Sequence, residues 1–160
     1  MSNISSANGT VTAVAKDCTT AKRIISLINS VTRDFECYSV FMNGTESEEK
    51  HSYECHFVGG GRGDYRSTLL KLGPSLIKYA EDQEIISELE KNEFELTFSF
   101  ADEEQKNRLL YDAVVVLEHK ENTALTDIDY IEKNVKFHDY SLKNLKEIVG
   151  YDDEIARLLA

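Results

Sequence analysis

The sequence predicts an α+β domain built on an antiparallel sheet, for three reasons. Its 160 residues are enough to enclose one hydrophobic core. Apolar residues make up 41% and charged residues 29%, which is ordinary for a globular protein. Along the chain, segments in which apolar and polar residues alternate, as in strands, are interspersed with segments in which apolar residues recur at helical spacing. We therefore expect one domain over residues 1–160, with a core at about 9–118 and a C-terminal extension at about 119–160.

The first part of the chain predicts a strand, a helix and a hairpin. Residues 10–15 are short and rich in β-formers, which favours strand one. Apolar residues at helical spacing predict helix one over 19–32. Residues 35–42 and 51–58 predict strands two and three, joined by a polar turn that begins at Asn43-Gly44.

The second part predicts a helix and two further strands. Helix two should run from 65 to 81, with a kink or restart at Gly73-Pro74, and a short helical piece should follow it. Alternating Phe and Leu residues over 94–100 predict strand four. A polar connection over 101–108 leads to strand five at 109–117, which is apolar on both faces at its centre.

The tail carries a weaker pattern. Residues 128–137 are expected to be irregular or extended, and Ser141 and Asp152 are expected to cap two short helices. The order of elements is then β-α-β-β-α-β, followed by an extra strand and short C-terminal helices. That order is typical of a ferredoxin-like antiparallel sheet with helices on one face. This fold carries many unrelated functions, so it indicates none by itself.

The charge is strongly uneven. The formal net charge is −11, and residues 81–104 hold ten acidic residues and one basic residue. An acidic chain repels phosphate backbones and anionic lipid surfaces, so we expect no direct nucleic-acid or membrane partner. The sequence shows no apolar run of about 20 residues and no secretory signal, which predicts a cytoplasmic protein.

The acidic segment is the first candidate site, a surface that mimics nucleic acid. Glu81, Glu84 and Glu88 share one helix face, where neighbouring Cβ atoms lie ~5–6 Å apart, comparable with successive phosphates. Such a field would speed association with a basic partner. The alternative is a solvated face that only aids solubility. The candidate partner-binding residues are Glu81, Glu84, Glu88, Glu93, Glu95, Asp102, Glu103 and Glu104.

The second candidate site is the glycine-rich stretch between strand three and helix two. Backbone N–H groups of such a turn can hold a phosphate, and arginines add positive charge. The stretch matches neither the P-loop nor the dinucleotide-binding pattern, and the alternative is a flexible turn. The candidate anion-binding residues are Gly60, Gly61, Arg62, Gly63 and Arg66.

Cysteine and histidine predict no chemistry. Cys37 and Cys55 are expected to face the core from strands two and three, whereas Cys18 could be exposed. No histidine has metal-ligand spacing to a cysteine, so we expect no metal and no cofactor. Single nucleophiles without local context also give no reason to expect an enzyme.

A set of short motifs lies within residues 55–105: Gly61-Arg62-Gly63, Tyr65, Leu69-Leu70, Leu89, Phe94-Glu95-Leu96 and Asp102-Glu103-Glu104. In these motifs the segment resembles the YubB-type ferredoxin-like proteins of plasmids and phages. That family has no well-defined activity, so the resemblance implies a ferredoxin-like fold and an origin in a mobile element.

Together these features predict a non-enzymatic phage or mobile-element protein that inhibits a host defence factor. An anti-CRISPR or anti-restriction role in the host cytoplasm is the specific expectation, with a basic nuclease as the target and the inhibitor as a monomer or homodimer. The alternative is a small-ligand or nucleotide-binding module, or a hydrolase, that uses the turn at 59–66.

Overall fold

A computed structural model describes residues 4–160 and contains a six-stranded antiparallel sheet. Neighbouring strands follow the order β2-β3-β1-β4-β5-β6, so β1 lies in the centre and β2 and β6 form the edges. The strands are β1 (Ile4–Val14), β2 (Tyr38–Glu48), β3 (Ser52–Arg62), β4 (Phe94–Glu104), β5 (Leu109–His119) and β6 (Asp129–His138). With its helices, this sheet confirms the predicted α+β class.

The helices are short apart from the first. Within residues 4–160, no helix has both the length and the apolar character needed to cross a membrane. They are α1 (Cys18–Thr32), α2 (Tyr65–Leu70), α3 (Leu72–Tyr79), α4 (Gln83–Lys91), α5 (Leu142–Asn144), which continues as a π-turn over Leu145–Val149, and α6 (Asp153–Leu159); a 3₁₀ turn covers Leu125–Asp127.

Local chemistry explains where these helices begin and end. Ser141 and Asp152 accept hydrogen bonds from the backbone N–H groups of Asn144 and Ile155, as predicted. The predicted helix two is divided at Lys71, so that Pro74 falls in the first turn of α3, where its missing N–H costs least. Gly73 is required because a Cβ there would lie 2.1 Å from the Leu125 carbonyl oxygen.

The main core lies between one face of the sheet and helices α1 to α4. Ile28 of α1, Leu76 of α3 and Leu89 of α4 are fully buried in this core. Aromatic rings fill its centre, where Phe57 stacks on Tyr65 at 5.0 Å between ring centroids. This dense layer holds α2 firmly over the sheet.

A second, smaller core lies on the opposite face, under the C-terminal helices. Ala101 and Leu110 of the sheet pack against Tyr140, Leu145, Val149 and Ala156. The guanidinium of Arg108 donates 3.0 Å hydrogen bonds to the carbonyl oxygens of Tyr140 and Ala160. These bonds fix both ends of the C-terminal segment to the sheet.

Several strands are longer than predicted. β1 begins at Ile4, and the segment expected to be irregular or extended forms β6. β3 continues through residues 59–62, where the sequence predicted a turn, and β4 continues through 101–104, where it predicted a polar connection. In both places pairing with neighbouring strands on each side stabilises a sequence that has low intrinsic strand propensity.

The predicted environment of Cys37 is wrong, because Cys37 is exposed while Cys55 is buried and Cys18 is intermediate. Tyr38, Val40 and Met42 face the core from β2, so Cys37 points away. Asn43-Gly44 is not the hairpin turn. It opens a bulge in which three residues, 44–46, lie opposite one residue of β3, and β2 runs on to Glu48.

Candidate functional site

A cavity of about 320 Å³ lies at the end of the sheet where β3 and β4 finish, and we call it the Asp102 pocket. It combines residues from both sites predicted from sequence with residues predicted from neither. Its lining residues are Ser5, Gly63, Asp64, Arg66, Ser67, Asp102, Glu103, Glu104, Leu109, Tyr111 and Phe137.

Strand register brings the sheet residues of the pocket together. Asp102 lies opposite Tyr111 in the β4–β5 ladder, and Tyr111 lies opposite Phe137 in the β5–β6 ladder. Ser5 of β1 lies opposite Glu104. All five lie on the face covered by α1 to α4, because residues two apart in a strand share a face.

Asp102 is the most buried carboxyl group of the pocket, with 1% of its surface exposed. Its Oδ2 accepts hydrogen bonds from the Tyr65 backbone N–H at 2.8 Å and from the Tyr111 hydroxyl at 2.7 Å. Its Oδ1 has no hydrogen-bond partner. Burial raises the pKa of Asp102 to about 6, although Tyr65, Tyr111 and the nearby Ser5 hydroxyl act in the opposite direction.

Arg66, in the first turn of α2, lines the same pocket as Asp102. Its guanidinium lies over the ring of Tyr111 at 4.8 Å and the ring of Phe137 at 5.7 Å, and its Nη1 lies 3.5 Å from Glu132 Oε1. The two rings hold the guanidinium by cation–π attraction. Its buried Nε has no hydrogen-bond partner.

Glu104 supplies the third unpartnered atom, its buried Oε1. Among residues 4–160, the buried side-chain nitrogen and oxygen atoms without a partner are Arg66 Nε, Asp102 Oδ1 and Glu104 Oε1, and all three residues line the Asp102 pocket. Buried polar groups are nearly always paired, so this coincidence marks the pocket as the candidate site.

Glu103 has a different role from its neighbours on β4. It faces the C-terminal helices, where it accepts hydrogen bonds from the hydroxyls of Tyr140 at 3.0 Å and Tyr151 at 3.4 Å. Burial raises its pKa, although both tyrosine bonds lower it. Glu103 therefore fixes the C-terminal segment against the sheet.

The predicted acidic surface is divided by the fold. Glu81, Glu84 and Glu93 are exposed, and Glu95 is half-buried. Glu88 forms a two-pronged ion pair with Arg23, at 3.2 and 3.0 Å, which removes it from an unpaired field. Asp102, Glu103 and Glu104 are buried, so the prediction that they extend the exposed acidic surface is wrong.

Most of the glycine-rich stretch that was predicted as a phosphate cradle lies in strand β3. Gly60 and Gly61 pair with both β1 and β2, and the Arg62 N–H donates to the Cys37 carbonyl at 2.7 Å. Their backbone groups therefore belong to the sheet. Only Gly63, with a φ of +86°, has the left-handed conformation of a turn, and it and Arg66 reach the Asp102 pocket.

A larger cavity of about 720 Å³ lies at the opposite end of the sheet, and we call it the His119 cavity. The His119 ring, 2% exposed, has Nδ1 at 2.7 Å from the Asn92 carbonyl and Nε2 at 2.9 Å from the Thr123 carbonyl. Lysines and glutamates are mixed around its rim, among them Lys16, Lys91 and Glu121. Its buried polar groups are paired, which distinguishes it from the Asp102 pocket.

Neither metal chemistry nor a known relative identifies the site. Over residues 4–160, no group of three or more His, Cys, Asp or Glu side chains is arranged to hold a metal ion. Comparisons with protein-family models, curated proteins and solved structures each give no match. The site is therefore interpreted from its own geometry.

Sequence reasoning missed six of the lining residues as site residues: Ser5, Asp64, Ser67, Leu109, Tyr111 and Phe137. Tyr111 and Phe137 follow the inward alternation of two strands, but nothing local distinguishes them from core aromatics. One combination of features pointed to this end of the sheet: the three acidic residues 102–104 follow the strongly alternating strand at 94–100 after a single alanine.

Proposed function

We propose that this protein is a non-enzymatic binding module that holds a small polar ligand in the Asp102 pocket. The observation that supports it is that all three residues with an unpartnered buried side-chain atom, among residues 4–160, line one cavity. Leaving such an atom unpaired costs about 1–3 kcal/mol, more if it is charged. A ligand with complementary groups would offset that cost, so the unpaired atoms have a physical reason to persist.

The dimensions and walls of the pocket favour a ligand of metabolite size. A volume of about 320 Å³ is near the lower end of the ~300–1,000 Å³ typical of small-molecule sites. Leu109 and Phe137 line the pocket and are 45% and 59% exposed. They offer an apolar wall beside the polar atoms, the usual composition of such a site.

Thermal-shift screening with a broad panel of amino acids, amines, nucleotides and sugars tests this function. We expect at least one compound to raise the melting temperature of the protein, and Glu104→Gln to abolish that rise. Glu121→Gln is the matched control, because it removes the same charge at the His119 cavity. The function is refuted if no compound stabilises the protein, or if Glu104→Gln responds as the native chain does.

The nucleotide alternative is less favoured. The Asp102 pocket shares Gly63 and Arg66 with the predicted anion site, but Asp102 and Glu104 would face a bound phosphate. Two carboxylates against one guanidinium repel an anion at short range.

We also infer that the first four strands and the helices between them form a ferredoxin-like unit. The order β2-β3-β1-β4 supports this, since each helical connection then joins two strands separated by one other strand. The YubB-type resemblance and the mobile-element origin stay predictions. A solved structure of such a protein with the same strand order and a pocket at the same end would support both.

A second candidate function is inhibition of a basic host defence nuclease, in the host cytoplasm, by acidic mimicry. Glu95 lies directly opposite Glu118 in the β4–β5 ladder, and like charges in that position destabilise a sheet. Glu84 and Glu93 add exposed negative charge on the adjoining segments. A basic partner would relieve the repulsion between Glu95 and Glu118, which supports a role for this surface in binding.

Binding to purified CRISPR effector and restriction nucleases tests this second function. Replacement of Glu84, Glu93, Glu95 and Glu118 by Gln should weaken binding by at least tenfold. The matched control replaces the exposed Glu36, Glu49, Glu147 and Glu154 and changes the net charge by the same amount. Equal binding by the two variants contradicts local mimicry.

A further inference from the structure

We infer that the ligand of the Asp102 pocket is a small organic cation that also carries a hydrogen-bond acceptor, as a basic amino acid does. This inference rests on the proposed function, because it names the chemistry of the same site. It depends on three observations: the charge around the cavity, the donor or acceptor character of the unpartnered atoms on its lining residues, and the contacts that hold Arg66.

The charge of the pocket is negative. Asp102, Glu104 and Asp64 line it, against the single guanidinium of Arg66. Part of that positive charge is already directed at Glu132, 3.5 Å from Arg66 Nη1. A cation therefore gains Coulomb energy on entering, and its attraction is strong because water is partly excluded.

Two of the three unpartnered atoms are hydrogen-bond acceptors. Asp102 Oδ1 and Glu104 Oε1 each lack a donor. The two residues lie two apart on one face of β4, so their Cα atoms are separated by about 7 Å. A guanidinium has five N–H donors and an ammonium three, so one head group can serve both carboxyls with charge-assisted bonds.

The third unpartnered atom, Arg66 Nε, is a donor and requires an acceptor. The rings of Tyr111 and Phe137 hold its guanidinium in place, so the N–H has a fixed direction. A ligand carboxylate or carbonyl would satisfy it. An apolar stem between the two polar ends would lie on Leu109 and Phe137.

Other ligand classes fit less well. A divalent cation needs several converging ligands, and over residues 4–160 no group of three or more His, Cys, Asp or Glu side chains is arranged to hold a metal ion. A phosphate satisfies Arg66 but leaves both carboxyl oxygens unpaired and adds repulsion. A neutral amide supplies donors, but it lacks the charge that two carboxylates favour.

Isothermal titration with four probes tests the inference. L-arginine carries a guanidinium and a carboxylate, agmatine lacks the carboxylate, L-citrulline is the neutral isostere, and inorganic phosphate is the anion. We expect L-arginine to bind most tightly, agmatine less tightly because Arg66 Nε stays unpaired, L-citrulline at least tenfold more weakly than L-arginine, and phosphate not at all. Glu104→Gln and, independently, Asp102→Asn should weaken L-arginine binding by at least tenfold, and Glu121→Gln should leave it unchanged.

The outcomes separate this inference from the proposed function. Pocket-dependent binding of L-citrulline or phosphate as tight as that of L-arginine overturns the cationic ligand but leaves a binding function. If none of the four probes binds but a compound of the broad panel binds in a pocket-dependent way, the cationic ligand is likewise overturned and the binding function stands. If L-arginine binds equally to the native chain and to both folded pocket variants, its site is elsewhere and the inference is wrong.

Discussion

The two ends of the sheet each carry a cavity, but they differ in how their buried polar groups are paired. At the His119 cavity, both ring nitrogens of the buried histidine contact carbonyl oxygens, and Glu90 accepts from the Leu125 N–H at 2.8 Å. At the Asp102 pocket, three buried polar atoms have no partner. The His119 cavity is the larger of the two, with about 720 Å³ against about 320 Å³.

This difference teaches that volume alone is a poor guide to a binding site. A cavity whose polar groups bond to one another stabilises the fold and has little to offer a ligand. Unpaired donors and acceptors around a cavity lower the stability of the ligand-free protein. They also make binding selective, because only a ligand with complementary groups can pair with them. Replacement of the unpaired Glu104 carboxyl should therefore stabilise the ligand-free protein, whereas replacement of His119 should destabilise it.

The largest expected effect concerns the backbone beside the Asp102 pocket. A Cβ at Gly61 would lie 2.1 Å from the Cys37 carbonyl oxygen, whereas at Gly60 the nearest atom is 3.6 Å away. We expect Gly61→Ala to lower the free energy of unfolding by about 4 kcal/mol and Gly60→Ala by less than about 1 kcal/mol. Urea denaturation measures both, and equal midpoints would show that this end of the sheet tolerates a side chain.

At the opposite end, we expect His119→Ala to lower the free energy of unfolding by about 3 kcal/mol. The substitution removes the ring's contacts with two carbonyl oxygens and its stacking on Phe94 at 4.8 Å. His56→Ala is the control, because His56 is exposed on β3 and should change stability by less than about 0.5 kcal/mol. If the His119 variant is as stable as the control, the contrast between the two ends fails.

The pH dependence of stability should distinguish Asp102 from an exposed carboxyl group. Its folded-state pKa of about 6 lies above its unfolded value, so the folded protein binds an extra proton between about pH 4 and pH 6. This group therefore destabilises the fold as pH rises through that window, by about 2–3 kcal/mol.

Asp102→Asn should remove that component. Its free energy of unfolding, measured from pH 4 to pH 7, should lose the corresponding downward slope, whereas the exposed Asp127→Asn should follow the native curve. Parallel curves for the native chain and Asp102→Asn would mean that burial does not raise the pKa of Asp102.

The smallest expected effect is a gain in stability. Glu104→Gln removes a buried, unpaired charge, so we expect the free energy of unfolding of the ligand-free protein to rise by about 1 kcal/mol. The same substitution should abolish ligand binding. Chemical denaturation without ligand measures the first effect, and a loss of stability would indicate a structural role for Glu104.

The sequence predicted the α+β class and most of the elements because those features are local. The alternation of Phe94, Leu96, Phe98 and Phe100 identifies a strand, and Ser141 identifies a helix start. The order of strands in the sheet and the inclusion of β6 depend on contacts distant in sequence. Propensity and spacing do not encode such contacts.

The candidate site was only partly predictable, for the same reason. Asp102, Glu103 and Glu104 were predicted to belong to an exposed acidic surface, because a run of carboxylates is usually solvated. Their burial depends on Tyr65, Tyr111, Tyr140 and Tyr151, which lie 9 to 48 residues away in the chain. Arg66 was noticed for its charge, yet only the fold places it against carboxylates.

Strand β4 separates two compartments, with Asp102 and Glu104 on one side and Glu103 on the other. The three side chains are chemically similar, so substitutions among them preserve composition and charge. A deletion or insertion of one residue in this segment would instead exchange their faces, turning one acidic group toward the pocket and two toward Tyr140 and Tyr151. Length, rather than side-chain identity, is therefore the property of residues 101–104 that tolerates least variation.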